Sequence, residues 1–238
     1  MDVNRVSILY RSSEGVEINH DTMKAKVITL IQNPQSIEVA ERCIASGKKH
    51  FVNIEMFRAI NPLEHEPLEM LENESIPPNA FDEKYSRNLN CISAFLSHYT
   101  LWKECGMGDE VYTIFEHDAV VTAPLPTVDF WYVMNIGAPS YGNFNTPKTL
   151  GVNPLTTKRY FPGAHAYMIT PEGASRLVRE ASKHAKPTDL YLNLDIFPFL
   201  QEYYPFCAYV DDSFTTIQNE EGCVAKHNWN KDYKIIDA

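Results

Sequence analysis

Lys26 to Ile31 (Lys-Val-Ile-Thr-Leu-Ile) is short, β-branched and almost wholly apolar, the pattern of a strand covered on both faces. Asn33-Pro34 breaks it. Ser36 then stands where it can cap a helix whose Ile37, Ala40 and Ile44 share one face, with Gly47 as the stop. Phe51 to Ile60 reads as a second strand. Strand, helix and strand within about 35 residues make a βαβ unit, and that unit directs the chain toward an α/β fold with a parallel, doubly wound sheet.

The rest of the chain is expected to extend this sheet. Asn90 to Glu104 has Cys91, Ala94, Phe95, Leu101 and Trp102 at helical spacing, with Gly106 at its end. Strands are expected at Glu110–Phe115, Phe130–Ile136, Ala164–Ile169 and Phe206–Val210. Thr170 as cap and Pro171 in the first helical position open a helix through Ala181. Leu190 to Tyr203 is expected to be helical, interrupted at Pro198. Leu63 to Glu83 holds seven acidic residues, no Lys or Arg, and Pro77-Pro78. It is expected to be a long polar loop; residues 63–89 also suit an active-site lid. Residues 1–24 read as an N-terminal extension and 218–238 as a polar tail on one domain.

Composition removes several classes. A chain of 238 residues, 44% apolar and 12% aromatic, has enough hydrophobic surface for a sizeable core. With 21 Lys and Arg against 31 Asp and Glu, the net charge of −10 opposes general phosphate-backbone binding. No apolar run approaches the roughly 20 residues of a membrane span. The start carries charges throughout with no apolar stretch, so no secretory signal is expected. The five cysteines (Cys43, Cys91, Cys105, Cys207, Cys223) form no CxxC pair. Buried free thiols in a reducing, cytoplasmic compartment are expected. Ser46-Gly47-Lys48 lacks the upstream glycine of a P-loop, and no GxGxxG, GxSxG or HExxH motif is present.

The segment most suggestive of chemistry is Val111-Tyr112-Thr113-Ile114-Phe115-Glu116-His117-Asp118. An apolar strand that delivers two carboxylates and an imidazole at its C-terminal end puts them where open α/β sheets bind ligands. Carboxylates one residue apart on an extended chain point to the same side and can share a hard divalent cation. An ordinary solvated acidic turn fits the same spacing.

Beyond this segment the sequence resembles glycosyltransferase family 25, which includes lipopolysaccharide and collagen galactosyltransferases. The resemblance runs from about Lys26 to Ile217, with its parts in family order. Val27-Ile28-Thr29-Leu30 resembles the opening strand. Phe95-Leu96-Ser97-His98 with Leu101-Trp102 resembles the Leu-Ser-His helix. Phe115-Glu116-His117-Asp118-Ala119 is similar to the acidic Leu-Glu-Asp-Asp-Ala motif. Gly163-Ala164-His165-Ala166-Tyr167 with Gly173-Ala174 is similar to the Gly-x-x-Ala-Tyr step, and Pro187-Thr188-Asp189 to Pro-x-Asp. The sequence departs from the family pattern at Thr29 (Asn in the family), at Cys91-Ile92-Ser93-Ala94 (Glu-Ile-Gly-Cys) and at His117 (Asp).

The resemblance implies a GT-A-like, Rossmann-like fold: a mixed, mainly parallel central sheet flanked by helices. It implies transfer of a sugar from a nucleotide-sugar donor, UDP-linked first, to an acceptor hydroxyl, with Mn2+ or Mg2+. Asp118, Glu116 and His227 are then the expected metal ligands, and Glu116, His117, Asp118, Arg87, Ser97 and His98 the donor-binding residues. Asp189, with Asp195 second, is the expected acceptor of the hydroxyl proton. Plainer roles exist for each: helix capping for Asp189, a helix-to-sheet anchor for Ser97 and His98, a surface ion pair for Arg87. Tyr141, Phe144 and Tyr160 suit a stacking surface. The expected acceptor is a glycan or, because the Gly163–Tyr167 and Phe214-Thr215-Thr216-Ile217 stretches resemble family members of large tailed phages, a hydroxymethylated base of DNA. The latter needs a basic face, for which Lys148, Lys158, Arg159, Arg176, Arg179, Lys183 and Lys186 are candidates. A GT-A domain that binds nucleotide or glycan without transfer is the alternative.

Overall fold

A computed structural model describes residues 23–82, 84, 86–140, 142–211, 214–219 and 234–236. Its chain opens with β1 (Lys24–Thr29), α1 (Pro34–Lys49) and β2 (Ile54–Arg58), the βαβ unit expected from the sequence. There follow α2 (Pro67–Asn73), a 3-10 turn (Pro78–Phe81), α3 (Asn88–Gly106), β3 (Tyr112–Glu116) and β4 (Ala119–Val121). Next come β5 (Val133–Asn135), β6 (Gly151–Pro154), β7 (Ala166–Ile169), α4 (Pro171–His184) and the single helical turn α5 (Thr188–Tyr191). The elements β8 (Gln201–Tyr204), β9 (Ala208–Val210), β10 (Phe214–Thr215) and β11 (Lys234–Ile235) end the described chain.

The main sheet has seven strands in the order β2-β1-β3-β7-β5-β8-β6. Strands β2, β1, β3, β5 and β8 run one way, and β7 and β6 run against them. The sheet is therefore mixed and mainly parallel in strand direction. β1 has β2 on one side and β3 on the other, so successive connections leave β1 in opposite directions. That reversal opens a crevice at the carboxyl ends of β1 and β3.

Side chains alternate across the sheet. Tyr112 and Ile114 of β3 and Tyr167 and Ile169 of β7 join the core under α2, α3, α4 and α5. Phe115 of β3 and Ala166 and Met168 of β7 join the core under α1 and β4. Coverage of both faces is the physical reason these strands read as unbroken apolar runs. On the first face Trp102 of α3 stacks on Tyr191 of α5 at 5.6 Å, and Phe95 meets Trp102 edge-on at 5.7 Å. Each such burial contributes roughly 1.5–3 kcal/mol.

Local chemistry sets the boundaries. Asn33, not Ser36, caps α1: its Oδ1 accepts from the backbone N–H groups of Gln35 and Ser36 at 2.9 and 3.0 Å, with Pro34 in the first turn. Thr170 caps α4 as expected, accepting from Gly173 N at 3.1 Å. Gly173 admits no side chain, since a Cβ there would lie 2.2 Å from the Tyr132 carbonyl oxygen. Gly163 sits at φ 94°, a left-handed conformation that glycine adopts without steric cost.

Two expectations need correction. Over the described residues 63–82 the expected long loop is not found. Pro67 starts α2, and Leu71, Ile76 and Phe81 are buried in the core with α3. Residues 190–203 are not one helix. The chain leaves α5 after Tyr191, Asn193 Oδ1 accepts from Asp195 N and Ile196 N, and the chain enters β8. Asn side chains that bond the backbone two and three residues ahead favour turns over helix. Cys43, Cys91, Cys105 and Cys207 are buried free thiols; Cys223 lies outside the described residues. Among the described residues no helix is long and apolar enough to cross a membrane.

Candidate functional site

The crevice at the switch point is a cleft of about 150 Å3. Ile28 and Leu30 from the end of β1, Ala59 and Ile60 after β2, and Ser93, Ser97 and His98 of α3 form part of its wall. Glu116, His117 and Asp118 enter from the end of β3, and Phe214 to Ile217 close it from the far end of the chain. The parallel register sets Glu116 beside Ile28, which explains why the acidic end of β3 reaches this wall.

Ser97, His98, Glu116 and His117 each have an identifiable anchor. Ser97 Oγ donates to Ser93 O at 2.8 Å and accepts from Ile60 N at 2.9 Å, tying α3 to the end of β2. His98 lies within hydrogen-bond distance of two groups: its Nδ1 is 2.9 Å from the Tyr167 hydroxyl and its Nε2 is 3.2 Å from Glu116 Oε1. Burial, the largest single influence, pushes the Glu116 carboxyl up; the hydrogen bond from His98 together with the imidazoles of His98, His165 and His117 around it more than offsets this, so the group lies below the usual carboxylate range. Glu116 is ionised at neutral pH and 35% of its side chain is exposed.

His117 is held from the opposite side of the sheet. Its Nδ1 lies 2.6 Å from Ser36 Oγ, which also accepts from Leu30 N at 3.0 Å. Its ring meets Phe214 edge-on at 5.4 Å. Burial, helped by the charge of Arg42 and opposed by Glu116, lowers the imidazole to about 4, so His117 is neutral at pH 7. His117 therefore places no charge on this wall.

The structure brings Ser97, His98, Glu116, His117 and Asp118 together and leaves three expected residues off the cleft wall. Arg87 instead organises that wall: its Nη2 donates to Thr216 O and, at 2.7 Å, to Ile236 O, while Arg87 N donates to Ile217 O at 2.7 Å. Asp189 lies at the start of α5, where its Oδ1 accepts from Leu190 N at 2.9 Å. Asp195 is exposed and paired with Arg159, which is equally exposed. His227 and Tyr141 lie outside the described residues. Of the cations considered for a basic face, Arg159 pairs with Asp195, Arg176 with Glu172 and Arg179 with Glu180. Arg176 also lies over the Tyr132 ring at 4.1 Å.

The oxygen-rich pair Glu116 and Asp118 on one wall is a donor set of the type that hard divalent cations take. Among the described residues no group of three or more His, Cys, Asp or Glu side chains is positioned to hold a metal ion. Sequence reasoning missed Ser36 and Ser93. Ser36 reads as a helix cap in the sequence, and nothing local signals its contact with a histidine 81 residues away.

Residues 35–129 match the family model for glycosyltransferase family 25 (LPS biosynthesis protein). The matched stretch starts in the first turn of α1 and includes α3 and the Glu116-His117-Asp118 turn. No curated protein sequence matches the chain. Among solved structures, the CTP:phosphocholine cytidylyltransferase LicC from Streptococcus pneumoniae is similar over 80% of this chain and 93% of its own, at 11% identity and a TM-score of 0.39. That likeness is too slight to carry an argument about activity.

Proposed function

We propose, with the family 25 match of residues 35–129 as premise, that this chain is a glycosyltransferase. It moves a sugar from a nucleotide donor to an acceptor hydroxyl, with the donor's diphosphate in the cleft at Glu116-His117-Asp118. The observation that carries the reading is a convergence. The acidic end of β3 and the Ser97-His98 step of α3 lie within the family match and line one cleft at the sheet's switch point. That is where open α/β sheets take ligands.

The acceptor oxygen attacks the anomeric carbon, the bond from that carbon to the diphosphate oxygen breaks, and the hydroxyl proton passes to a base. Asp118 and Glu116 would hold a divalent cation, Mn2+ or Mg2+, which would neutralise the charge that grows on the departing diphosphate. The ionised Glu116 is already fixed by His98, so its orientation costs nothing at the moment of transfer. The neutral His117 adds no charge to the wall. The largely apolar surface of Ile28, Leu30, Ala59 and Ile60 suits the flat face of a nucleoside. Asp189 is assigned the hydroxyl proton on its resemblance to the family's Pro-x-Asp step. The acceptor is a glycan.

The test is a donor screen over UDP-, GDP-, CMP- and dTDP-sugars, read by mass spectrometry with Mn2+ and with chelator. At least one donor is expected to be turned over, and Asp118→Asn is expected to lower that turnover roughly 100-fold or more. Unchanged turnover in Asp118→Asn contradicts the assignment of the cleft. Unchanged turnover in Asp189→Asn removes Asp189 as the base.

A further inference from the structure

Behind the cleft lies a buried row of polar groups that ends on Glu116. Trp102, Tyr167 and His98 are 0%, 0% and 1% exposed. Trp102 Nε1 donates to the Tyr167 hydroxyl oxygen at 2.7 Å. The same hydroxyl is 2.9 Å from His98 Nδ1, and His98 Nε2 is 3.2 Å from Glu116 Oε1. The rings of His98 and Tyr167 stack at 5.8 Å, which restrains the imidazole plane.

Donor and acceptor counting fixes every proton in this row. Indole N–H only donates, so the Tyr167 oxygen accepts from Trp102. Its own hydrogen then needs an acceptor, and among the described residues the partner within reach is His98 Nδ1. A proton on Nδ1 would leave that hydroxyl hydrogen buried without an acceptor, which costs the full desolvation of the group. It would also turn the bare lone pair of Nε2 toward an ionised carboxylate. Both ends of the row therefore select the same tautomer, Nδ1 bare and Nε2–H donating to Glu116. The order is Trp102 to Tyr167 to His98 to Glu116.

We propose that Tyr167 and Trp102 are positioning residues: they lock His98 in its Nε2–H tautomer, and His98 in turn holds the Glu116 carboxylate oriented in the cleft. Neither Tyr167 nor Trp102 lines the cleft; both act through His98. The inference deepens the glycosyltransferase reading and rests on it for the consequence in turnover, whereas the tautomer is measurable without any donor.

The experiment uses the full chain. Nitrogen-15 NMR of the histidine ring at neutral pH, with His98→Gln to assign the signals, is expected to show His98 protonated at Nε2 and bare at Nδ1. A proton on Nδ1 overturns the proposal. Tyr167→Phe keeps the ring and removes the hydroxyl. It is expected to lower kcat for transfer roughly tenfold or more, with the donor KM within about twofold of wild type, since second-layer partners typically change activity by 10–100-fold. An unchanged kcat in a folded Tyr167→Phe protein overturns the positioning role. If Tyr167→Phe does not fold, the wild-type tautomer decides. If the wild type turns over no nucleotide sugar, the transferase reading fails, and the ring signals still decide whether the row is built as described.

Discussion

Two glutamates on strands of the main sheet show how differently one side chain can be used. Glu202, on β8 at the far side of the sheet, is fully buried. Its carboxylate accepts four hydrogen bonds: from Thr156 N at 2.8 Å, Thr157 N at 3.1 Å, and the hydroxyls of Thr156 and Thr157, each at 2.6 Å. Glu116, at the end of β3, accepts from His98 and has 35% of its side chain exposed. A carboxylate whose acceptor sites are filled by protein donors is a structural knot, because a ligand would have to displace bonds already made. A carboxylate fixed by a buried imidazole and opening on a cleft has acceptor capacity left for a ligand. The comparison separates a buried acid that holds the fold from one that serves a site.

That distinction can be broken by substitution, and the largest effect belongs to Glu202. Glu202→Ala leaves the Thr156 and Thr157 donors facing a void and is expected to destabilise the protein by about 3–4 kcal/mol, measured by urea unfolding. A loss below about 1 kcal/mol would show that water replaces the carboxylate without difficulty. Glu116→Gln sharpens the other side. It is expected to lower turnover roughly 10- to 100-fold while changing unfolding free energy by about 1 kcal/mol or less. A large stability loss with turnover intact would make Glu116 a second structural knot. The smallest effect is expected at Asp195, whose ion pair with Arg159 is exposed on both partners at 71%. Asp195→Asn should change stability by less than about 0.5 kcal/mol, measured in the same unfolding assay. Its transfer rate should match wild type, and a large loss would restore Asp195 as the proton acceptor.

The fold was legible where local signals and tertiary packing agree. Strand β1 is apolar on both faces because both faces are covered, and the Thr170-Pro171 cap of α4 works within its own first turn. The misreadings fall where short apolar runs fit two structures. Leu190 to Tyr203 carries apolar residues that periodicity cannot assign, and Asn193 decides the matter through bonds to Asp195 and Ile196. In residues 63–83 the acidic residues hid Leu71, Ile76 and Phe81, the three that pack.

The site was partly legible for a related reason. Glu116, His117 and Asp118 follow a buried strand without interruption, so their place at its carboxyl end follows from sequence order alone. The Ser36 contact with His117 spans 81 positions and the Arg87 contact with Thr216 spans 129, and no local pattern encodes either. Tyr167 stood in a motif that reads as a core strand, which it is; its hydroxyl acquires a role only when Trp102 and His98 are folded against it.

A crystal soaked with manganese and UDP tests the cleft most directly. The account predicts the diphosphate lodged among Ser97, His98, Glu116 and Asp118, with the metal in contact with the Asp118 carboxylate and the nucleoside against Ile28 and Ile60. Nucleotide bound elsewhere on the molecule, with no metal at Glu116 and Asp118, would contradict it.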